Sequence, residues 1–132
     1  MGRYYSGDID GKFWFGVQNS NDADFFGSTG YEPNYLEYSF EKEEHLESVK
    51  DGIAQCEKEI GNREEQWEQF CKDEDNYNDT ILKKYWKEKY NEELSNKPRK
   101  DLKLEWIARV RLGRKILKCL EEYGTCGFQA EL

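Results

Sequence analysis

The first forty residues form an aromatic and glycine-rich block, and this block limits the choice of fold. It holds eleven large rings. They are Tyr4, Tyr5, Phe13, Trp14, Phe15, Phe25, Phe26, Tyr31, Tyr35, Tyr38 and Phe40. A two- or three-stranded sheet needs fewer rings than this to cover one buried face, since each removes roughly 150–250 Å² from water. Some of the rings must therefore lie under helices or line a ligand surface.

The size and charge of the chain limit the kind of protein that it can be. With 132 residues it is predicted to be one domain, and 15% aromatic residues compensate for a low hydrophobic content of 36%. The net charge of −8 argues against unselective binding to nucleic acid or to an anionic membrane. No apolar run approaches the roughly 20 residues of a membrane span, and the first residues do not resemble a signal peptide. We expect a cytoplasmic protein.

Three segments show the two-residue period of a β-strand. Residues 12–17 and 34–40 alternate large apolar and smaller or polar side chains, and residues 125–132 repeat the pattern at the end of the chain. The segment between the first two, residues 18–33, is rich in Asn, Asp, Ser and Gly and is predicted to be a long loop. These segments predict two N-terminal strands joined by a C-terminal strand in a small antiparallel sheet.

The middle of the chain shows helical periodicity. Apolar residues step by three or four through residues 41–60, and further stripes run through residues 62–71, 81–90 and 101–120. Gly61 and Gly124 are typical helix stops, and Asn62 with Glu65 resembles a capping box. The sequence thus predicts an α+β fold in which about four helices pack on the sheet.

Within this single domain, residues 1–132, four parts differ in composition. Residues 1–40 are aromatic and β-rich, and residues 41–94 form acidic helices. Residues 95–100 are polar and contain Pro98, which predicts a linker. Residues 101–132 carry a basic helix and the last strand.

Charge is segregated along the chain. Residues 41–79 hold fourteen acids and five bases, whereas residues 97–118 hold nine bases and two acids. One interpretation is that the basic helix pairs with the acidic helices or faces water. The other is an anion site in which guanidinium groups bind phosphate and neighbouring rings stack a base. The predicted ligand-binding residues are Arg109, Arg111, Arg114, Lys115, Tyr4, Tyr5, Trp14 and Phe26.

Catalytic and metal-binding patterns are weak. The four cysteines are widely separated and are predicted to be free core thiols, and His45 is the only histidine. Asp8 and Asp10, which precede Gly11, resemble the start of a calcium loop, but the later ligands are missing and a turn explains them better. Asp22 adds a third acid to a disfavoured metal-dependent phosphoesterase hypothesis. We therefore expect no enzyme activity, no bound metal and no cofactor.

Both ends of the chain resemble a known group of sequences. The segments are GRYYSGDIDGKFWFGVQ from Gly2, DADFFG from Asp22, EPNYLEYSF from Glu32 and LKCLEEYGTCGFQAEL from Leu117. They resemble an uncharacterised family of small proteins from phages and large DNA viruses. The resemblance implies a viral origin and a location in the cytoplasm of the host cell, and it transfers no site residue. Small viral proteins without enzyme motifs often act as counter-defence factors, by analogy.

Two functions follow as hypotheses. The first is a non-catalytic sponge that sequesters a phosphorylated nucleotide immune signal. The second is an inhibitor whose acidic helices mimic nucleic acid and block a host defence protein, as an anti-CRISPR does. The sponge depends on Arg111 and Arg114, whereas the mimic depends on Glu64, Glu65 and Glu68. Nucleotide-sequestering proteins often form pockets between subunits, so a homo-oligomer is expected.

Overall fold

The structure is a computed structural model that describes residues 3–14, 16–28 and 35–131, with Tyr35 described by its backbone alone. Within these described residues, four strands and five α-helices follow in chain order, with a 3-10 helix at Asp22–Phe26. The strands are β1 (Tyr4–Gly7), β2 (Gly11–Lys12), β3 (Tyr35–Glu41) and β4 (Thr125–Glu131). The helices are α1 (Lys42–Ile60), α2 (Arg63–Asp73), α3 (Asp79–Tyr90), α4 (Pro98–Asp101) and α5 (Leu104–Tyr123). The predicted α+β class is confirmed.

The sheet is antiparallel with the strand order β2-β1-β4-β3. The C-terminal strand β4, which the apolar alternation at the end of the chain predicted, lies between β1 and β3. Its Phe128 ring packs at 5.2 Å from Tyr38 and lies nearly parallel to Phe40 at 6.2 Å. These rings form the buried face, while Glu37 and Gln129 lie on the exposed face.

The predicted strand at residues 12–17 is wrong. The strand pairing in that region is limited to β2, and the N–H groups of Val17 and Gln18 both donate to the Trp14 carbonyl oxygen. Gly16 has φ +73, a left-handed conformation that favours glycine, so the chain turns after Trp14. The sheet gains β1 instead, which sequence reasoning missed because it is only four residues long. Phe15 lies outside the described residues.

The helical predictions are mostly confirmed. Among the described helices, α1 and α5 make the largest helix-to-helix interface, and the stripe residues Val49 and Ile53 of α1 are buried. The Asn62 capping prediction is wrong, because its side chain caps no N–H group of α2. Asn78 caps α3 instead, accepting from the N–H of Ile81 at 2.8 Å.

Two further features of the chain concern its core. Residues 95–100 include the start of α4, whose first residue, Pro98, is buried. Three cysteines, Cys56, Cys119 and Cys126, are buried free thiols, whereas Cys71 is exposed.

Among the described helices, none has the length and apolar character that a membrane crossing requires.

Candidate functional site

An open cleft of about 450 Å³ lies where the N-terminal segment, α2, the α2–α3 connection and α5 meet. It combines aromatic walls with cationic side chains. The lining residues are Lys12, Phe13, Trp14, Trp67, Cys71, Tyr77 and Arg111. Its volume is in the range of small-molecule sites, about 300–1,000 Å³.

The wall of the cleft is an aromatic cluster centred on Trp67. The Trp14 ring lies 5.8 Å from Trp67, and the edge of Tyr77 meets Trp67 at 5.2 Å. Trp67 itself is buried on α2, whereas Trp14 and Tyr77 are half-buried and expose ring surface. An indole and a phenol with accessible surface can stack a planar ligand, since every nucleobase has a π-face.

The cleft also holds positive charge. The Arg111 guanidinium lies 5.6 Å from the centre of the Trp14 ring. Its Nε lies 3.3 Å from Glu64 and its Nη2 lies 3.8 Å from Glu68, so two acids of α2 partly neutralise it. Within the described part of the chain, the Nη1 group of Arg111 makes no hydrogen bond, and Lys12 makes no ion pair. Nη1 and the Lys12 ammonium are therefore the donors available to an anion.

Two of the predicted arginines are already held by acids of this chain. Arg109 Nε donates to Asp22 at 2.8 Å, and its guanidinium carbon lies 4.8 Å from the centre of the Phe25 ring and 4.7 Å from that of Trp106. Arg114 donates to Glu64 at 2.8 Å and lies 3.4 Å from Glu57. Neither residue lines the cleft. Arg114 thus shows the ion pairing between the basic and acidic helices that was the simpler interpretation, whereas Arg109 pairs with Asp22 of the 3-10 helix.

The remaining predicted residues lie in other environments. Phe26 is fully buried, and Tyr5 is 5% exposed. The Tyr5 hydroxyl accepts from Lys115 Nζ at 2.9 Å, and Lys115 also donates to the Asp10 carbonyl oxygen. Tyr4 is exposed and borders the cleft through Lys12, whose ammonium lies 5.9 Å from its ring. Of the eight predicted residues, Trp14 and Arg111 line the cleft.

Two of the three acids of the metal hypothesis, Asp8 and Asp22, have side-chain partners, and Asp10 accepts from Lys115 through its backbone carbonyl oxygen. Asp8 accepts from the N–H of Gly127 at 2.9 Å, and Asp22 is buried with Arg109 and Gln18. Burial raises the pKa of Asp22, although the hydrogen bond from Arg109 opposes that shift. Within residues 3–14, 16–28 and 35–131 no group of three or more His, Cys, Asp or Glu side chains is placed to hold a metal ion.

Sequence reasoning missed the cleft residues Lys12, Phe13, Trp67, Cys71 and Tyr77. Trp67 and Cys71 fall on the apolar stripe of α2, which hid their exposure to the cleft. Tyr77 is a lone ring in the polar run 72–79, a pattern that favours a surface contact and could have flagged it. Burial raises the pKa of the Cys71 thiol, which argues against an activated nucleophile.

Comparison with known proteins adds no family to this description. No protein-family model matches the chain, and neither the curated proteins nor the solved structures contain a significant match.

Proposed function

We propose that this protein is a non-catalytic binder that sequesters a small phosphorylated aromatic molecule of the nucleotide class. One observation carries the proposal: Trp14 and Arg111, from opposite ends of the chain, form one cleft with Lys12 and Tyr77. Rings with exposed faces suit a base, and the Arg111 and Lys12 donors suit a phosphate. The resemblance to small viral proteins supports a counter-defence role, in which the sequestered nucleotide is a host immune signal.

The cleft has aromatic surface and cations, and its described lining residues include no carboxylate or histidine that could serve as a general base. They include one thiol, that of Cys71, and its pKa is raised by burial. A binder releases its ligand unchanged. Mass analysis of GMP and of a cyclic dinucleotide after long incubation with the protein should recover both intact. A new product would contradict the non-catalytic proposal.

The contributions of the phosphate and of the aromatic ring of the ligand can be tested separately. GMP should bind more tightly than either guanosine, which lacks the phosphate, or inorganic phosphate, which lacks the ring. Titration followed by tryptophan fluorescence gives the three affinities, since Trp14 and Trp67 line the cleft. A cyclic dinucleotide in the same titration tests a larger ligand. Equal affinity for phosphate and GMP would show that the aromatic wall has no part in binding.

Variants of the cleft give the decisive comparison. We expect Trp14→Ala and Arg111→Ala each to weaken GMP binding about 10-fold or more, because a stacked ring and a charge-assisted hydrogen bond each contribute about 1–3 kcal/mol. Lys118→Ala is the matched control, since Lys118 is an exposed cation on the same helix and does not line the cleft. Loss of binding in the control equal to that in Arg111→Ala would point to general charge instead of this cleft.

Alkylation of Cys71 supplies a second measurement. It is the exposed cysteine of the four and it lines the cleft, while the other three are buried. In the native protein a maleimide should modify the Cys71 thiol before the three buried thiols, because Cys71 alone of the four is exposed. Saturating GMP should slow that reaction, because an occupied cleft covers the thiol. An unchanged rate at saturation would place GMP elsewhere on the protein.

A nucleic-acid mimic is the second candidate, and the acids of α1 favour it. Glu43, Glu47 and Asp51 are exposed at four-residue spacing and form no ion pair within the described part of the chain. By contrast, Glu64 and Glu68 of α2, on which the sequence-based mimic hypothesis depends, are paired with Arg111. Neutralising the α1 acids to Gln and Asn should then abolish inhibition of a host protein without changing GMP affinity. The reverse result would favour the cleft.

A further inference from the structure

A chain of side-chain hydrogen bonds runs from α5 to the aromatic wall of the cleft. Arg109 Nε donates to Asp22 Oδ1 at 2.8 Å, and Gln18 Nε2 donates to Asp22 Oδ2 at 2.8 Å. Gln18 Oε1 then accepts the backbone N–H of Trp14 at 3.2 Å. Two residues thus connect Arg109 to the backbone that carries the cleft's exposed indole.

The two connecting residues are buried polar groups. Gln18 is 4% exposed and Asp22 is 6% exposed. A buried polar group that loses its partner is destabilising, and a fully satisfied network has few alternative arrangements. The side-chain amide of Gln18 thus makes a hydrogen bond through both its oxygen and its nitrogen. The backbone N–H of Gln18 also donates to the Trp14 carbonyl oxygen, at 2.9 Å. The turn from Trp14 to Gln18 is therefore clamped at both of its ends.

The other end of the network is fixed by packing. The Arg109 guanidinium packs against the Phe25 and Trp106 rings and donates to Glu105 at 3.0 Å. It is thus held on a rigid helix by contacts on several sides. The position of Arg109 is therefore fixed by contacts within the chain, without a ligand.

We propose that Gln18 and Asp22 are positioning residues for the cleft, which hold Trp14 in register with Arg111 by tying its turn to Arg109. Affinity for a nucleotide then depends on residues that do not touch it. This inference rests on the proposed function as far as ligand affinity is concerned. The placement of Trp14 in the ligand-free protein is independent of that function.

The test begins without any ligand. Hydrogen exchange of the Trp14 backbone amide, followed by NMR, reports directly on its bond to Gln18. In Gln18→Ala we expect this amide to exchange at least tenfold faster than in the natural protein. Asp22→Asn should have a similar effect, because its amide cannot accept from Arg109 and Gln18 as the carboxylate does. If Asp22→Asn does not fold, Gln18→Ala decides the matter.

Ser20→Ala is the matched control for loop stability. Ser20 lies in the same loop and is buried, and its hydroxyl joins Arg3 and the Glu131 carbonyl oxygen. Arg3 also donates to the Gln18 backbone carbonyl oxygen, which Gln18→Ala retains, and not to the Gln18 side chain, which it removes. Ser20→Ala should leave Trp14 exchange unchanged although it also removes buried hydrogen bonds. Equal acceleration in Ser20→Ala and Gln18→Ala would reduce Gln18 to a general structural role and overturn the proposal.

A double-mutant comparison separates positioning from the proposed function. Gln18→Ala should weaken GMP binding about tenfold in the natural background and not at all in the Trp14→Ala background. An equal loss in both backgrounds would mean that Gln18 does not act through Trp14. If the natural protein does not bind GMP, the proposed ligand class fails, while the Trp14 exchange rates still decide whether Gln18 holds the turn. Unchanged exchange in Gln18→Ala would overturn the inference whatever GMP does.

Discussion

At the scale of single residues, Phe26 shows why a ring-rich loop can be a core element. Phe26 belongs to the 3-10 helix and is fully buried between α1 and α5. A side-chain carbon added at Gly113 would lie 2.5 Å from the ring, and one at Gly52 would lie 2.8 Å from it. The two glycines therefore leave the space that the ring fills. The surplus of rings in the first forty residues is partly explained by this packing.

Gly113→Ala tests that packing. The methyl group gains about 1 kcal/mol of helix propensity but must displace a buried ring, at a cost of about 1–3 kcal/mol. We expect a net loss of up to about 2 kcal/mol in the free energy of unfolding, measured with urea. Combining Gly113→Ala with Phe26→Leu should cost less than the sum of the two single changes, since the smaller side chain makes room. Strict additivity would show that Phe26 is not what the methyl group meets.

At the scale of secondary-structure elements, Glu64 ties α2 to α5. Its carboxylate accepts from Arg114 at 2.8 Å and from Arg111 at 3.3 Å. Burial raises the pKa of Glu64, but the hydrogen bonds from Arg114 and Arg111 outweigh burial and hold it below its ordinary value of 4.5. A carboxyl group whose pKa is lowered in the folded state stabilises the fold at pH values above the pKa it has in the unfolded state. That contribution is lost as the pH falls through the lowered, folded value.

Glu64→Gln should therefore flatten the dependence of stability on pH. Between pH 7 and a pH below 4.5, the natural protein should lose more of its unfolding free energy than Glu64→Gln does. Urea unfolding at several pH values measures this difference. Glu65→Gln is the control, since the neighbouring Glu65 is exposed and has no ion pair in the described part of the chain. A control profile as flat as that of Glu64→Gln would contradict the role of the ion pairs.

Prediction of elements was most successful where the pattern was long. The stripe of residues 41–60 spans more than five turns, so its period set the helix bounds to within one residue of α1. The predicted strand 12–17 was short, and the alternation of Phe13 against Trp14 could not reveal that the chain turns at Gly16. A turn depends on backbone angles and on hydrogen bonds that alternating side chains do not specify.

At the scale of the whole molecule, α2 and α3 form a unit beside the α1–α5–sheet core. Arg63 of α2 lies 2.6 Å from Glu92 just beyond α3, and Trp86 donates to Gln66 at 3.2 Å. The ring of Phe70 packs on Trp86 at 5.5 Å. The cleft lies where this unit meets the N-terminal segment and α5.

Hydrogen exchange should show the difference between the two parts. We expect the amides of α2 and α3 to exchange at least 10-fold faster than those buried in α5 and β4, because segments with fewer core contacts open at lower free energy. Saturating GMP should slow exchange in α2 and in residues 74–78 in particular, since both border the cleft. Exchange of all helices at one common rate would show that the molecule opens only as a whole.

The sequence predicted the residue types of the candidate site, but only some of the residues that line the cleft. The mixture of surplus rings with a basic helix indicated stacking and anion binding, and Trp14 with Arg111 lies in the cleft. Arg109 and Arg114 could not be separated from Arg111 by spacing along α5. Their partners, Asp22 and Glu57, lie 87 and 57 residues away in the chain. Charge pairing at that distance depends on the path of the backbone.

Local order along the chain was enough to establish the α+β class, the apolar stripes of the helices and the strand at the C-terminus. Periodicity carries this information because each residue's face depends on its near neighbours. Three-dimensional packing alone decided that Phe26 is core, that Arg114 is neutralised and that Trp14 meets Arg111 at an open cleft. Those outcomes are contacts between distant segments, and their geometry exists only once the sheet and α5 bring both ends of the chain together.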